Sequence, residues 1–135
     1  CISFLPWFSL KLPTLSLNSI MSLFVPCTSN FIINGTLYCS GQVALVPATG
    51  KLNYPDIKTE TKQVMENLAA ILKEADMNFS NVVKCSIFLK DMADFAEMNS
   101  VYGNYFTSEP PARETVQVSA LPLNVNIEIS LIAYK

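Results

Sequence analysis

The stretch from Phe31 to Gly41 constrains the fold more than any other part of the sequence. Its Asn34-Gly35 pair accepts the positive φ angles of a two-residue hairpin turn, and β-favouring residues flank it on both sides. We therefore predict antiparallel strands near 29–33 and 36–40. Gly41 ends the second strand, where a backbone without a Cβ can approach a ligand closely.

Downstream, helical and alternating patterns follow one another. Asp56 suits the N-cap of a helix that runs to about Ala75, because the apolar residues after it recur at helical spacing. Residues 47–55 are predicted to form a loop. The remaining predicted elements are a strand at 82–89, a helix at 91–106, and strands at about 114–119 and 125–133. This order predicts an α+β fold with a mostly antiparallel sheet and two helices on one face.

The last two strands alternate between polar and apolar residues. Arg113 shares parity with Thr115, Glu114 points the other way, and Glu128 lies among the polar residues of the final strand. We expect the apolar faces to cover the helices. Arg113, Thr115 and Glu128 would then lie together on the far side of the sheet, which another subunit would cover.

Arg113 is the single arginine among 135 residues, and the chain contains no histidine. A guanidinium is a planar fork of donors that binds a carboxylate through two parallel hydrogen bonds. The lack of histidine excludes Ser-His-Asp and Cys-His pairs and HExxH zinc sites. Acid–base chemistry would fall to carboxylates, backbone groups, Tyr, Lys, Cys or water. From the residues alone, Arg113 could equally form a structural ion pair with Glu114 or Glu128.

The charge balance argues against nucleic acid as a partner. The net charge is −2, the isoelectric point is near 5.0, and the lysines are scattered, so DNA is excluded and RNA disfavoured. The four cysteines, at positions 1, 27, 39 and 85, form no CxxC pair. We expect free thiols rather than a disulfide, with no metal and no cofactor.

Residues 1–20 differ in composition from the rest, being rich in Leu, Ser, Phe and Pro with one Lys and no acid. Pro6 and Pro13 interrupt the apolar run, so no membrane helix is predicted. We interpret this segment as an N-terminal extension, either unstructured or a targeting remnant, and residues 21–135 as one domain. The expected location is the cytoplasm, or a mitochondrion or plastid if the extension is a leader.

Several short motifs occur in a characteristic order between residues 25 and 134. They include Tyr38-Cys39-Ser40-Gly41-Gln42, Phe88-Leu89-Lys90-Asp91-Met92, Pro111-Ala112-Arg113 and Ile127-Glu128-Ile129. In this combination the chain resembles the RidA/YjgF family of enamine/imine deaminases, also called L-PSP endoribonucleases or translation inhibitors. The resemblance implies a chorismate-mutase-like fold and a homotrimer with clefts between subunits.

The resemblance also implies roles for individual residues. Arg113 would hold a substrate carboxylate, and Glu128 would orient a water molecule. The other implied site residues are Ser40 and Gly41 as backbone contacts, Thr115 two residues beyond the arginine, Asn99 on the second helix, and Cys27 where relatives often carry a tyrosine.

The implied activity is hydrolysis of 2-imino and 2-enamino acids, such as 2-aminoacrylate, to 2-keto acids and ammonia without metal or cofactor. Two alternatives remain at this point. The first is an endoribonuclease or translation inhibitor, and the second is a non-catalytic trimer that binds small carboxylates.

Overall fold

The computed structural model describes residues 30–135, so the predicted extension at 1–20 and Cys27 lie outside the described residues. Within them, no helix is long and apolar enough to cross a membrane. Each element bears a number in chain order. The elements are β1 (Phe31–Ile33), β2 (Thr36–Gln42), β3 (Leu45–Val46), β4 (Lys51–Leu52), α1 (Ile57–Glu74), β5 (Val82–Leu89), α2 (Phe95–Tyr102), β6 (Ala112–Gln117) and β7 (Ile127–Tyr134), with short 3₁₀ turns at Phe79–Asn81, Met92–Asp94, Gly103–Tyr105 and Pro122–Asn124.

The main sheet has five strands in the order β1-β2-β7-β5-β6. All neighbours pair antiparallel except β5 and β6, which are parallel. A parallel pair needs a crossover connection, and the segment containing α2 provides it. The predicted α+β fold with a mostly antiparallel sheet and two helices is confirmed.

The predicted hairpin and first helix are present. Asn34 and Gly35 have φ angles of 48° and 77°, as the turn between β1 and β2 requires. Asp56 caps α1, and its carboxylate accepts a hydrogen bond from the Thr59 amide at 2.8 Å. The apolar stripe of α1 contributes Val64 and other fully buried residues to the core.

Two predicted elements differ in detail. Residues 47–55 are not entirely loop, because Leu45–Val46 and Lys51–Leu52 pair as a small second sheet. Gly50, with a φ of 64°, makes that turn. The predicted helix at 91–106 is divided into two 3₁₀ turns around the α-helix Phe95–Tyr102.

The predicted placement of the polar residues was wrong for β6. Arg113 pairs with Cys85 and Thr115 with Ile87, and both β5 partners are buried on the helix-covered side. Arg113 and Thr115 therefore lie on that side. Glu128 pairs with Phe88 and lies on the open side. The error arose because β6 is an edge strand whose apolar Val116, 41% exposed, faces outward. Glu114 does point away from Arg113, as predicted.

Candidate functional site

Arg113 lies at the sheet edge and is held by helix α2. Its Nη1 donates a hydrogen bond to Oδ1 of Asn99 at 2.6 Å. The guanidinium carbon lies 5.0 Å from the centre of the Tyr102 ring and 5.7 Å from that of Phe95. Cation–π contact with two rings and one hydrogen bond fix the plane of the guanidinium. Two of the residues that the family resemblance implies, Arg113 and Asn99, are thus in direct contact.

Arg113 makes no ion pair with Glu114 or Glu128 among residues 30–135. Glu114 instead bonds to Ser86 and pairs with Lys84 at 3.3 Å on the open side of the sheet. These contacts lower the pKa of Glu114, the Ser86 hydrogen bond being the largest cause. The structural ion pair considered for Arg113 is thus replaced by a neutral amide contact, which leaves its charge available.

A cavity of about 380 Å³ opens beside Arg113. A guanidinium has five N–H donors, and Asn99 occupies one of them, so a bidentate carboxylate can still bind. Aromatic and proline rings form most of the remaining wall and would contact an apolar substrate chain. The lining residues are Asn99, Tyr102, Gly103, Phe106, Pro110, Pro111 and Arg113.

The buried Oγ1 of Thr115, two residues beyond Arg113 on the same face of β6, has no hydrogen-bond partner within the described part of the chain. The buried hydroxyl of Tyr102, in the cavity wall, lies against the Cys85 thiol. Burial is the largest cause of a raised pKa at Tyr102, so its hydroxyl stays protonated at neutral pH. An unpaired buried polar group is uncommon in proteins and marks Thr115 as a group available to a ligand or water.

The cysteines Cys39 and Cys85 are free and buried. Burial raises the pKa of Cys39 to about 12. Burial also raises the pKa of Cys85, although a hydrogen bond with Tyr102 and, to a smaller extent, the charge of nearby Arg113 oppose this effect. Both are therefore thiols rather than nucleophilic thiolates at neutral pH. Described residues 30–135 contain no cluster of three or more potential metal ligands.

Arg113 and the cavity beside it form one half of the candidate site. Glu128, on the open side of the sheet, forms the other half, and we call these two regions the half-sites. Its carboxyl group lies against Gly41, so closely that a Cβ at Gly41 would collide with Oε1. Gly41 sits where the β2–β7 register shifts, between Cys39 and Gln42. A side chain at residue 41 would force the end of the Glu128 side chain out of this place, because the carboxyl occupies the space that a Cβ would take. Burial raises the pKa of Glu128 above its ordinary value of 4.5.

Ser40 mainly supports this half-site. Its backbone N–H and its hydroxyl both donate to Oδ1 of Asn30, at 3.0 and 3.3 Å. Its carbonyl accepts a bond from Gln42 at 3.2 Å. The predicted Ser40–Gly41 pair thus lies beside Glu128, but the Ser40 amide is already occupied within the chain.

The sheet separates the two half-sites of a single chain. Arg113 pairs with Cys85 of β5, and Glu128 pairs with Phe88 of the same strand. Arg113 and Glu128 are therefore separated by two strand spacings across the sheet and by three residues along β5, which is about 10 Å in each of these directions. They also project from opposite faces. One small substrate bound by Arg113 would therefore not reach Glu128 of the same chain.

Sequence reasoning missed Glu60, which is fully buried in α1 and bonded to the start of β7. Its spacing offered a signal, since it follows Ile57 by three residues and precedes Val64 by four. A carboxylate at that position falls on the apolar stripe of the helix.

Comparison with known proteins agrees with the fold. The family model described as "Endoribonuclease L-PSP" matches residues 24–135. Protein DfrA of Myxococcus xanthus is 52% identical over 96 residues, covering 71% of this chain and 73% of DfrA. The chloroplastic Reactive Intermediate Deaminase A of Arabidopsis thaliana is 45% identical over 100 residues, covering 74% of this chain and 54% of that protein.

A solved structure shows the same architecture. Escherichia coli TdcF with bound serine superposes with a TM-score of 0.78 at 30% identity, covering 83% of this chain and 90% of TdcF. The fold and these matches define an α+β protein of the RidA type. The chain belongs to the endoribonuclease L-PSP family, which is the RidA/YjgF family.

Proposed function

We propose that this protein is a hydrolytic deaminase that converts 2-imino and 2-enamino acids, such as 2-aminoacrylate, to 2-keto acids and ammonia. The observation that carries the proposal is the Arg113 guanidinium, fixed by Asn99 and Tyr102 beside a cavity that suits a small carboxylate. The name of the Arabidopsis relative and the serine bound to TdcF support this substrate class.

The residues suggest a simple sequence of steps. An enamine tautomerises to the imine, whose C2 is electrophilic, while Arg113 holds the carboxylate. The Glu128 carboxylate orients a water molecule and accepts one of its protons as the water oxygen adds to C2, and it passes this proton to the substrate nitrogen. The hydroxyl proton of the resulting carbinolamine then moves to the nitrogen, the C–N bond breaks, and the 2-keto acid and ammonia leave. Thr115, whose hydroxyl is unpaired, is available to the amine or the water. Because the uncatalysed reaction already proceeds, an acceleration of about 10²–10⁴-fold suffices.

We further propose that the complete site forms between two copies in a homotrimer. The separation of Arg113 from Glu128 within one chain supports this, since a neighbouring copy can place its Glu128 near Arg113. The open side of the sheet also exposes large apolar residues that a neighbouring copy would bury. These exposed residues are Phe31, Tyr38 and Val116.

The two alternative functions make different predictions. The family description favours ribonuclease activity, whereas the acidic composition and the lack of histidine disfavour it. RNA cleavage that purifies with the protein and disappears in Glu128→Gln would favour that activity. Binding of 2-ketobutyrate without imine turnover would favour a non-catalytic trimer. We propose a cytoplasmic location, with a plastid as the alternative because the Arabidopsis relative is described as chloroplastic.

The direct test measures ammonia released from 2-iminobutyrate generated in situ. Arg113→Ala should lower kcat/KM by at least about 10²-fold, since a charge-assisted bidentate contact is lost. The matched control is Lys62→Ala, which removes an exposed cation of α1 whose one ion pair within residues 30–135 is with Glu66 at 3.8 Å. Wild-type activity in Arg113→Ala, or equal losses in both variants, would overturn the assignment.

A further inference from the structure

Glu60 is a buried carboxylate whose hydrogen bonds all go to one short segment. Its Oε1 accepts from the backbone amides of Asn126 at 2.8 Å and Ile127 at 3.3 Å. Its Oε2 accepts from Nδ2 of Asn126 at 2.8 Å. The side chain is fully buried, and no cation pairs with it among residues 30–135. Burying a carboxylate is costly, so these three bonds need a structural or functional explanation.

The segment held by Glu60 leads directly into the strand that carries Glu128. It leaves a 3₁₀ turn in which Leu123 and Asn124 have positive φ angles, so no regular structure fixes its path. The carbonyl of Asn126 accepts the Lys90 amide at 2.9 Å, which ties it to the end of β5. Asn126 is therefore anchored on both sides immediately before β7 begins.

We propose that Glu60 is a positioning residue for Glu128, acting through Asn126 and Ile127. This inference rests on the proposed deaminase function. Two carboxylate oxygens receiving three N–H donors fix the rotation of the backbone just before Glu128. That rotation determines whether the Glu128 carboxyl lies in the space left by Gly41. A displacement of about 1 Å at a reacting group can cost on the order of 10²-fold in rate.

The disrupting variant is Glu60→Met, which keeps the side-chain length but removes all three acceptor contacts. We expect kcat to fall at least about tenfold with KM changed less than about twofold, because Arg113 still binds the carboxylate. Glu60→Gln should restore most of kcat, since its oxygen can still accept the two backbone amides and a rotated Asn126 amide can pair with its NH₂. Asn126→Ala loses only one of the three bonds and should show a smaller loss of the same kind.

The matched control is Thr61→Val. Thr61 is equally buried and neighbours Glu60, but its hydroxyl donates to the Ile57 carbonyl of its own helix at 2.7 Å. Thr61→Val should lower stability without changing kcat. In a Glu128→Gln background, Glu60→Met should cause no further loss of activity, because the residue it positions is already disabled.

An NMR titration of the Glu128 carboxyl gives a readout that needs no turnover. The pKa of Glu128 should move toward its ordinary value in Glu60→Met and Asn126→Ala, but not in Thr61→Val. An unchanged Glu128 titration in both variants, or equal activity losses with and without Glu128, would overturn the positioning role. A wild-type protein that turns over no imine would refute the deaminase proposal instead, while the titration would still decide the role of Glu60.

Discussion

The half-sites of Arg113 and Glu128 differ in what orients the charged side chain. Arg113 stands at an exposed sheet edge and is oriented by aromatic rings and one amide of α2. Glu128 is partly buried within the sheet, in a space that exists because residue 41 is glycine. Attractive contacts orient Arg113, whereas Glu128 lies where the lack of a side chain at residue 41 leaves room for its carboxyl.

This difference predicts different kinetic consequences. Changes around Arg113 should affect mainly the binding of the carboxylate, and hence KM. Changes around Glu128 should affect mainly the chemical step, and hence kcat. The comparison also supports the proposal that two copies share one site, since the sheet places the two groups on opposite faces.

The largest effect is expected from Gly41→Ala. The added methyl group collides with Glu128 Oε1, so the carboxyl must leave its place. We expect kcat to fall on the order of 10²-fold but stability to fall by no more than about 1 kcal/mol, because the flexible end of the Glu128 side chain can move aside. Steady-state kinetics and thermal unfolding measure both.

Gly103→Ala is a control for stability alone, because Gly103 also lines the cavity beside Arg113. A Cβ at Gly103 meets no atom within 4 Å, and its backbone is helical with φ −59°. Its stability should rise by about 0.4–1 kcal/mol. If Gly41→Ala were as stable and active as the wild type, the packing of Glu128 against Gly41 would be refuted.

A smaller effect is expected from Asn99→Ala, which removes the hydrogen bond to Arg113 Nη1. The guanidinium keeps its charge and its aromatic contacts, so it would bind carboxylates in a less defined orientation. KM should rise about 3–10-fold, corresponding to roughly 1 kcal/mol for one bond, with little change in kcat. A fall in kcat at constant KM would contradict the assignment of substrate binding to Arg113 and of the chemical step to Glu128.

The smallest effect concerns the pH dependence of kcat. Glu128 must be ionised to accept a proton, and burial raises its pKa above 4.5. Activity should therefore begin to fall, as the solution is acidified, at a higher pH than an ordinary glutamate would give. The same shift means that the folded state binds this proton more tightly than the unfolded state, so the Glu128 contribution to stability decreases as pH rises above 4.5. If the residual kcat of Glu128→Gln no longer falls on acidification, the assignment of this fall to Glu128 is supported. A pH profile of kcat identical in shape to that of the wild type would contradict it.

Local chemistry made much of the fold predictable. The Asn34-Gly35 turn and the Asp56 cap depend on residues next to each other in the sequence, and both were predicted correctly. The alternation in β6 revealed two faces but could not identify the covered one. That choice depends on β6 joining β5 in parallel at the sheet edge, with Val116 outward, which is a long-range property.

The candidate site was predictable to a similar extent. The family resemblance named Asn99, Arg113, Gly41 and Glu128 individually, whereas the contact between Asn99 and Arg113 and the proximity of Gly41 to Glu128 appear only in the structure. The bonds from Glu60 to Asn126 join residues 66 positions apart, and no local pattern encodes such a pairing. Propensity and periodicity describe neighbours along the chain, whereas these contacts arise only when α1 packs against β7.

The central claim is that Arg113 of one copy works with Glu128 of another. Mixing Arg113→Ala with Glu128→Gln under conditions that exchange subunits tests it directly by ammonia release from 2-iminobutyrate. Each variant alone should be nearly inactive. An equal mixture should recover about a quarter of wild-type activity, since random pairing unites an intact Arg113 with an intact Glu128 at that share of interfaces. A mixture that stays as inactive as its components would contradict the shared site.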